Sequence, residues 1–453
     1  MVDAGDFEAR TYRAVTWRLL PFLFLCYILA YLDRVNVGFA RLQMQADLGL
    51  SDTAYGIGAG IFFIGYFFFE VPSNLLLQRV GARMWIARIM VLWGLISSSM
   101  MFTSSQTSFY VLRFLLGVAE AGFFPGIILY LTFWYTRVHR ARMVALFMTA
   151  IALAGVIGGP VSGLIMDRMG GVGGLRNWEW LYLLEGIPSV IVGLLVLWYL
   201  DDGPESASWL TAEQKALLAR RLAEEEAEKA AAGQHAQHIG EAFRNPLVWV
   251  LSLIYFGAVM GNYGVTFWLP QIIRETITPD PWRIGLVSAI PWGAAAITAV
   301  LVGASSDRRQ ERRWHIAVGA AVAAVAFALS GLPSLSGWPG LACLTVATAG
   351  MMSTMTTFWA LPTAILSGSA AAAGIAWINS VGNLSGYLSP FVLGAIRDAT
   401  RDAAHPNGNM FLALLVLAVS LFGAGVLTLL LPHAPKSGPK SDVGAAFRRP
   451  RAG

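Results

Sequence analysis

Asp33, Arg34 and Asn36 stand inside one apolar segment of this sequence, in the stretch YILAYLDRVNVGFAR at 27–41. A charge within a membrane-length apolar run costs about 2.5–3.5 kcal/mol on insertion scales, so such groups normally face a partner or a water-filled cavity. Neighbours on a helix point about 100° apart and do not pair with each other. Asp33 and Arg34 therefore need separate partners, unless the helix ends here and both side chains reach water.

A second set lies in FYVLRFLLGVAEAGFFPGIILYLTFWY at 109–135. Arg113 and Glu120 are two helical turns apart on one face, about 10.5 Å by helix rise. Gly117, Ala119 and Gly122 let a neighbouring helix approach closely. Arg113 could be an end anchor, but Glu120 lies deeper. A carboxyl buried without a counter-ion holds its proton more tightly than in water, which suits a proton carrier. Tyr66 and Glu70, four apart, share a face, with Tyr66 either a hydrogen-bond donor or an interfacial aromatic. Glu70 precedes Val71–Pro72 and reads as a gate-like structural residue. The second half of the chain offers neutral groups instead: Asn262, Tyr263, Trp359 and the stripe Asn379, Asn383, Tyr387. Asparagines there also serve as interhelical glue. Cationic and acidic chemistry in one half, with a polar aromatic surface in the other, suits a carboxylate held by arginine.

These residues must be carried by membrane helices. The 453 residues are 56% hydrophobic and 13% charged, with mean hydropathy +0.59, whereas soluble chains carry about 25% charged residues. The apolar runs predict twelve spans, near 18–40, 54–76, 84–103, 108–135, 142–166, 178–200, 247–270, 284–304, 314–333, 338–364, 370–396 and 409–432. Arg79, Arg83, Arg137, Arg140, Arg142, Arg308, Arg309, Arg312 and Arg313 fall in loops on one side, with Lys436, Lys440, Arg448, Arg449 and Arg451 in the tail. The positive-inside rule puts that side, and both termini, in the cytoplasm. On the other side basic residues come with acids, as Arg41 with Asp47, Arg168 with Asp167 and Arg274 with Glu275. The expected location is a cell inner membrane.

The one long polar segment, 201–246, separates six spans from six. Thr211 and Gln214 suit a capping box opening a helix that runs through Ala232. The expected organisation is a six-helix bundle over 1–200, a linker with an amphipathic cytoplasmic helix over 201–246, a second six-helix bundle over 247–434 and a basic tail over 435–453. The halves read as repeats at a six-span offset. NLLLQRVGAR (74–83) corresponds to GASSDRRQER (303–312), and PVSGLIMD (160–167) to PFVLGAIRD (390–398). Pro125 and Pro362 occupy equivalent spans. Two such bundles face each other around a site near the midplane.

Cys26 and Cys343 lie in apolar spans as small hydrophobes, with neither a disulfide framework nor a metal site implied. The chain has no P-loop lysine motif, HExxH or GxSxG. GVIGGPVSG (155–163) lies in an apolar span and reads as helix packing. No cofactor, metal or nucleic acid is expected, and the start of the chain does not read as a cleavable signal. An enzyme is the least favoured reading.

AYLDRVNVGFA (30–40), GAGIFFIGYFFFEVPSN (58–74), RVGARMWIARIMVLWG (79–94) and RFLLGVAEAGFFPGIILYLTFWY (113–135) resemble the major facilitator superfamily and, within it, the anion:cation symporters. The likeness runs through all twelve spans and is strongest before residue 200. It is similar to bacterial permeases for tartrate, phthalate and hydroxyphenylacetate, and more distantly to sugar-acid, allantoate and vesicular glutamate carriers. The resemblance implies an all-α membrane protein of two pseudo-symmetric six-helix bundles, acting as a monomeric proton-coupled symporter of a small organic anion. A uniporter, an antiporter or a non-transporting sensor are the alternatives. It further implies Asp33 and Glu120 as the proton-linked pair, and Arg34 and Arg113 as the groups meeting substrate carboxylate. Tyr31, Tyr66 and Tyr263 would contact substrate, with Asn379 and Asn383 matching less closely. The family usually has Gly and Asp where this chain has Asn74 and Gln78, whereas the second copy keeps Gly303, Asp307 and Arg308. A gate latch on the first half would then rest on Arg79, Arg83 and other partners.

Overall fold

The computed structural model describes residues 4–231, 244–365, 370–403 and 406–431. The basic tail and part of the linker lie outside them. Among the described residues, eleven segments are long and apolar enough to cross a membrane. The first half comprises α1 (Ala4–Val35), α2 (Val37–Asp47), α3 (Asp52–Val80), α4 (Ala82–Ser99), α5 (Gln106–Glu120), α6 (Phe123–Thr132), α7 (Arg137–Arg168) and α8 (Asn177–Tyr199). The linker helix α9 covers Ala212–Ala231. The second half follows with α10 (Pro246–Thr276), α11 (Pro281–Arg309), α12 (Arg313–Ser330), α13 (Trp338–Phe358), α14 (Ala360–Ile365), α15 (Ala370–Ala399) and α16 (Met410–Leu430).

The eleventh expected span, which is not among those eleven segments, is α15. It runs antiparallel to α3 from Asn379, beside Glu70, to Asp398, beside Thr53. Those contacts are seventeen positions apart on α3, about 25 Å of helix. Its asparagines and serines lower its hydropathy without shortening it.

Three spans expected to be continuous are broken. The first bends at Asn36, between α1 and α2. The fourth breaks after Glu120, where Gly122 takes φ 85° and a side chain would strike Ser73. Pro125, three residues on, cannot donate back to the preceding turn. The tenth breaks at Trp359 ahead of Pro362. The first and fourth breaks flank the buried charges. Irregular backbone at membrane depth occurs where it is enclosed by protein or lines a cavity.

Capping fixes the helix starts. Ser51 Oγ accepts from the Ala54 amide at 3.1 Å. Asp280 Oδ1 accepts from the amides of Trp282 and Arg283 at the start of α11. The expected linker cap forms: the Thr211 amide donates to Gln214 Oε1 at 3.0 Å, and the Gln214 amide donates to Thr211 Oγ1 at 3.3 Å. Helix α9 lies against the first bundle through Glu225, which accepts from the Arg137 amide at the start of α7. Arg221 pairs with Glu8.

The repeated motifs meet at the two seams between the bundles. On one, Gly159 and Gly163 of α7 face Gly285 of α11. On the other, Pro390 and Gly394 of α15 lie on Gly56 and Asp52 of α3. At both, bare glycine lets backbones touch, the close approach that small residues provide in membranes. The periphery carries apolar side chains such as Val300, Leu301, Val419 and Phe422.

Candidate functional site

The charges of spans one and four converge where α1, α3 and α5 meet α10. Arg34 Nε donates to Glu120 Oε1 at 3.1 Å, and Nη2 bonds the same oxygen. Arg34 Nη1 donates to the Tyr263 hydroxyl at 3.3 Å, across the seam. The rings of Phe62 and Tyr66 lie 5.4 and 5.6 Å from the guanidinium carbon, within cation–π range. Glu120 Oε2, the Tyr31 hydroxyl and Asn262 Oδ1 are buried without hydrogen-bond partners. The cluster therefore presents polar atoms from both bundles.

One expectation is reversed. Glu120 is not a lone carboxyl, because Arg34 reaches it from 86 residues away. Asp33 has no arginine bonded to it. It faces the bundle core and accepts from Trp93 Nε1 at 3.0 Å, Ser97 Oγ at 2.6 Å and Ser189 Oγ at 2.5 Å. The helical rotation between neighbours sends Arg34 to the seam and Asp33 inward.

Arg113 is fully buried, so it is no end anchor. It donates to the carbonyls of Gly58 at 3.4 Å and Ala59 at 3.0 Å, and its guanidinium carbon lies 5.3 Å from the Phe62 ring centroid. Its Nη1 has no partner. Arg113 thus bonds within the first bundle and shares the Phe62 ring with Arg34. Asn379 Nδ2 donates to Glu70 Oε1 at 3.3 Å, joining α15 to α3. Asn383 is half-buried, and Tyr387 stacks on Phe391. Trp359, at the break in span ten, meets Tyr255 edge-on at 4.8 Å.

The end of the bundles away from the termini is closed by charges. Asp52 accepts from Arg41, from Arg397 Nε at 3.0 Å and from Arg401 Nη2 at 3.0 Å. Arg397 also forks onto Glu275 at 2.6 and 3.1 Å. Arg274 donates to the Leu42 carbonyl. The Asp398 carboxylate accepts the amides of Asp52 and Thr53 at 3.2 and 2.7 Å, as anions do at helix N-termini. Arg41 lies 3.9 Å from the Trp268 ring centroid. Sequence reasoning had placed Arg41 beside Asp47 and Arg274 beside Glu275 as loop charges. Their charged or carbonyl partners come from the other bundle or another helix, while Arg41 Nε also donates to Gln45 of its own helix at 2.8 Å.

At the end nearer the termini, the contacts of the expected latch residues stay within their own half of the chain or reach the linker. Asp307 pairs with Arg312 at 2.5 Å. The Arg83 amide donates to Asp202 at 2.9 Å. Arg79 and Arg308 are exposed. The latch expected of Arg79, Arg83, Asp307 and Arg308 is thus not engaged across the bundles among these contacts, while the opposite end is shut.

The sequence profile of the Major Facilitator Superfamily matches residues 23–390. The chain belongs to this superfamily. This major facilitator transporter is 47% identical over 422 residues to the putative metabolite transport protein NicT of Pseudomonas putida, covering 93% of this chain and 94% of that one. It is 46% identical over 440 residues to a putative tartrate transporter of Agrobacterium vitis, covering 97% and 94%. The inward open conformation of the xylose transporter XylE from E. coli matches with a TM-score of 0.72 at 15% identity, over 95% of this chain and 100% of that one. That likeness concerns the fold. The transporter is a multi-pass membrane protein, and membrane transport rather than catalysis is what its family and fold indicate.

Proposed function

We propose that the transporter is a proton-coupled symporter of a small organic anion, working by alternating access as a monomer in the inner membrane. The Arg34–Glu120 pair carries this reading. A substrate carboxylate and the Glu120 carboxylate compete for one guanidinium. A proton on Glu120 gives up its claim and leaves Arg34 free to bind the anion bidentately. Substrate and proton then enter together, and the loaded site has less net charge to carry through closure. Arg113, with its free Nη1, adds positive potential near Arg34. Tyr31, Tyr66, Tyr263, Asn379 and Asn383 would shape the remainder of the site, and Asp33 would hold the second proton-linked carboxyl. Glu70 acts as a gate residue through its Asn379 bond. Arg79, Arg83, Asp307 and Arg308 would latch the opposite end in another state.

Tartrate is the first candidate, given the name of the Agrobacterium relative. Phthalate, hydroxyphenylacetate and sugar acids follow from the motif resemblance. Thermal stabilisation by a panel of these acids identifies the ligand, because binding to the folded state raises apparent stability by mass action. Uptake into proteoliposomes under an inward proton gradient then separates symport from equilibrative transport or ligand sensing. Accumulation supports symport. Equilibration alone sinks it, and binding without flux favours the sensor.

If Arg34 binds carboxylate with both faces of its fork, lysine is a poor substitute. Arg34→Lys is expected to weaken anion binding at least tenfold, measured by titration calorimetry on folded protein. Unchanged affinity removes Arg34 from the substrate site.

Orientation has a separate test. With both termini cytoplasmic, the closed end faces outward. An Ala227→Cys variant, with Cys26 and Cys343 replaced by alanine, places one thiol on the exposed face of α9. It is expected to resist a membrane-impermeant maleimide in intact cells and to react after lysis. Ready labelling of intact cells reverses the orientation.

A further inference from the structure

A second carboxyl in the first bundle has no place in the substrate cluster. Glu185 lies in α8 and is 4% exposed. Its Oε1 accepts from Ser162 Oγ of α7 at 2.7 Å, while Oε2 is buried without a partner. Asn36, at the break between α1 and α2, faces Glu185. It is fully buried, with neither amide atom hydrogen-bonded. Asp33 lies three residues before Asn36, bonded to Ser189, which is four residues beyond Glu185 on α8. Ser162, Glu185, Asn36 and Asp33 thus form a polar file through an apolar bundle, hydrogen-bonded at its two ends by Ser162–Glu185 and Ser189–Asp33.

The file ends at the seam. Ser162 lines a cavity of about 30 Å³ with Tyr31, Gly159, Thr266, Ser288 and Trp292. That is room for about one water molecule, with hydroxyls as partners. Other polar and charged groups around the file are Trp93, Ser97 and Ser189 on Asp33, with Glu120 and Tyr182 nearby and Arg113 facing Tyr182. Among the described residues, neither Asp33 nor Glu185 has an ion-paired arginine or lysine. Two carboxyls in a dry site without a counter-ion cannot both be charged cheaply.

We propose that Glu185 is a proton-transfer residue, through which protons from the seam cavity reach Asp33. Protonated Glu185 gives its proton to the Asp33 carboxylate, with the Asn36 amide orienting the two. Reprotonation is a relay: Ser162 Oγ passes its proton to the Glu185 carboxylate and takes one from a hydronium in the cavity, which is left as water. Each step transfers one net proton, and the Ser162 hydroxyl ends as it began. The inference rests on the reading of this protein as a proton-coupled symporter with Asp33 as a coupling group.

The test uses full-length protein in liposomes containing a pH-sensitive dye. Tartrate is the driving solute, or phthalate if tartrate gives no counterflow. Glu185→Gln is expected to slow anion-driven proton entry tenfold or more, with counterflow at equal pH retained. Glu185→Asp should recover part of the proton rate. A purely structural role would depress both assays together. Wild-type proton entry in a folded Glu185→Gln variant overturns the proposal while leaving symport intact. If that variant does not fold, Ser162→Ala decides: slowed proton entry supports the route, and a wild-type rate overturns it. A wild-type protein that moves the anion without protons overturns the symport reading and this proposal together.

Discussion

Glu120→Gln is expected to retain tartrate exchange at equal pH and to lose accumulation driven by a proton gradient. Glutamine keeps the shape and the hydrogen-bonding capacity of the protonated acid but cannot release a proton. With one proton moving per anion, a pH difference of one unit supplies about 1.4 kcal/mol, or about tenfold accumulation. The variant's accumulation ratio should fall to about one. The structure adds a second expectation. Arg34 is 9% exposed and its carboxylate partner is Glu120. Removing one member of a buried pair strands the other and costs about 3–5 kcal/mol. The unliganded variant should therefore unfold at lower temperature than wild type, and an organic anion should restore stability by occupying the vacated position. The measurements are counterflow, gradient-driven uptake and thermal unfolding with and without anion. Wild-type accumulation by Glu120→Gln removes Glu120 from coupling. Loss of counterflow and anion binding as well makes it a substrate-contact or folding residue instead.

The second large effect is expected at the closed end. Asp52→Asn should open it. Asp52 is the shared acceptor for Arg41, Arg397 and Arg401, and both Arg41 and Arg397 are buried. Asparagine leaves two buried guanidinium groups repelling each other, with only Glu275 to answer Arg397. A penalty of about 3 kcal/mol on the closed arrangement is reasonable for a broken buried pair. At about 1.4 kcal/mol per tenfold, it shifts the closed-to-open ratio about a hundredfold. The open arrangement exposes these arginines to water, so it escapes most of that penalty. Spin labels at Val172 and Ser334, surface positions in the connections beyond α7 and α12, report the change as a distance distribution. The wild type should give one short population, and Asp52→Asn a longer one. An unchanged short population would show that the glycine seams, rather than this charge cluster, hold the end shut.

Sequence and structure divide along a physical line. Helix number, membrane residence and the two-fold repeat were legible because hydrophobicity and period are local properties, and bilayer thickness fixes span length. The burial of Asp33, Arg34 and Glu120 was legible for the same reason: charges in apolar runs are costly enough to mark themselves. Glu185 stands alone in WLYLLEGIPSV and carries the same signal, so it too could have been singled out. The breaks after Glu120 and before Pro362 had visible prolines and glycine, but a proline alone does not distinguish a kink from a break.

Pairing was the tertiary structure's decision. Arg34 meets Glu120 across 86 residues, and Arg397 meets Asp52 across 345. Neither distance leaves a trace in local spacing. Asp33 and Arg34 are adjacent in the chain, yet helical rotation sends one to the bundle core and the other to the seam. Arg41 and Glu275 read as ordinary loop charges beside oppositely charged neighbours. Only the packing of α3 and α15 shows that they belong to the cluster closing one end. The sequence determined that Asp33, Arg34 and Glu120 had to be buried, because each stands inside an apolar run and the cost of burying charge is paid segment by segment. Which carboxylate answers which arginine depends on how the two bundles meet, and that is a property of their packing alone.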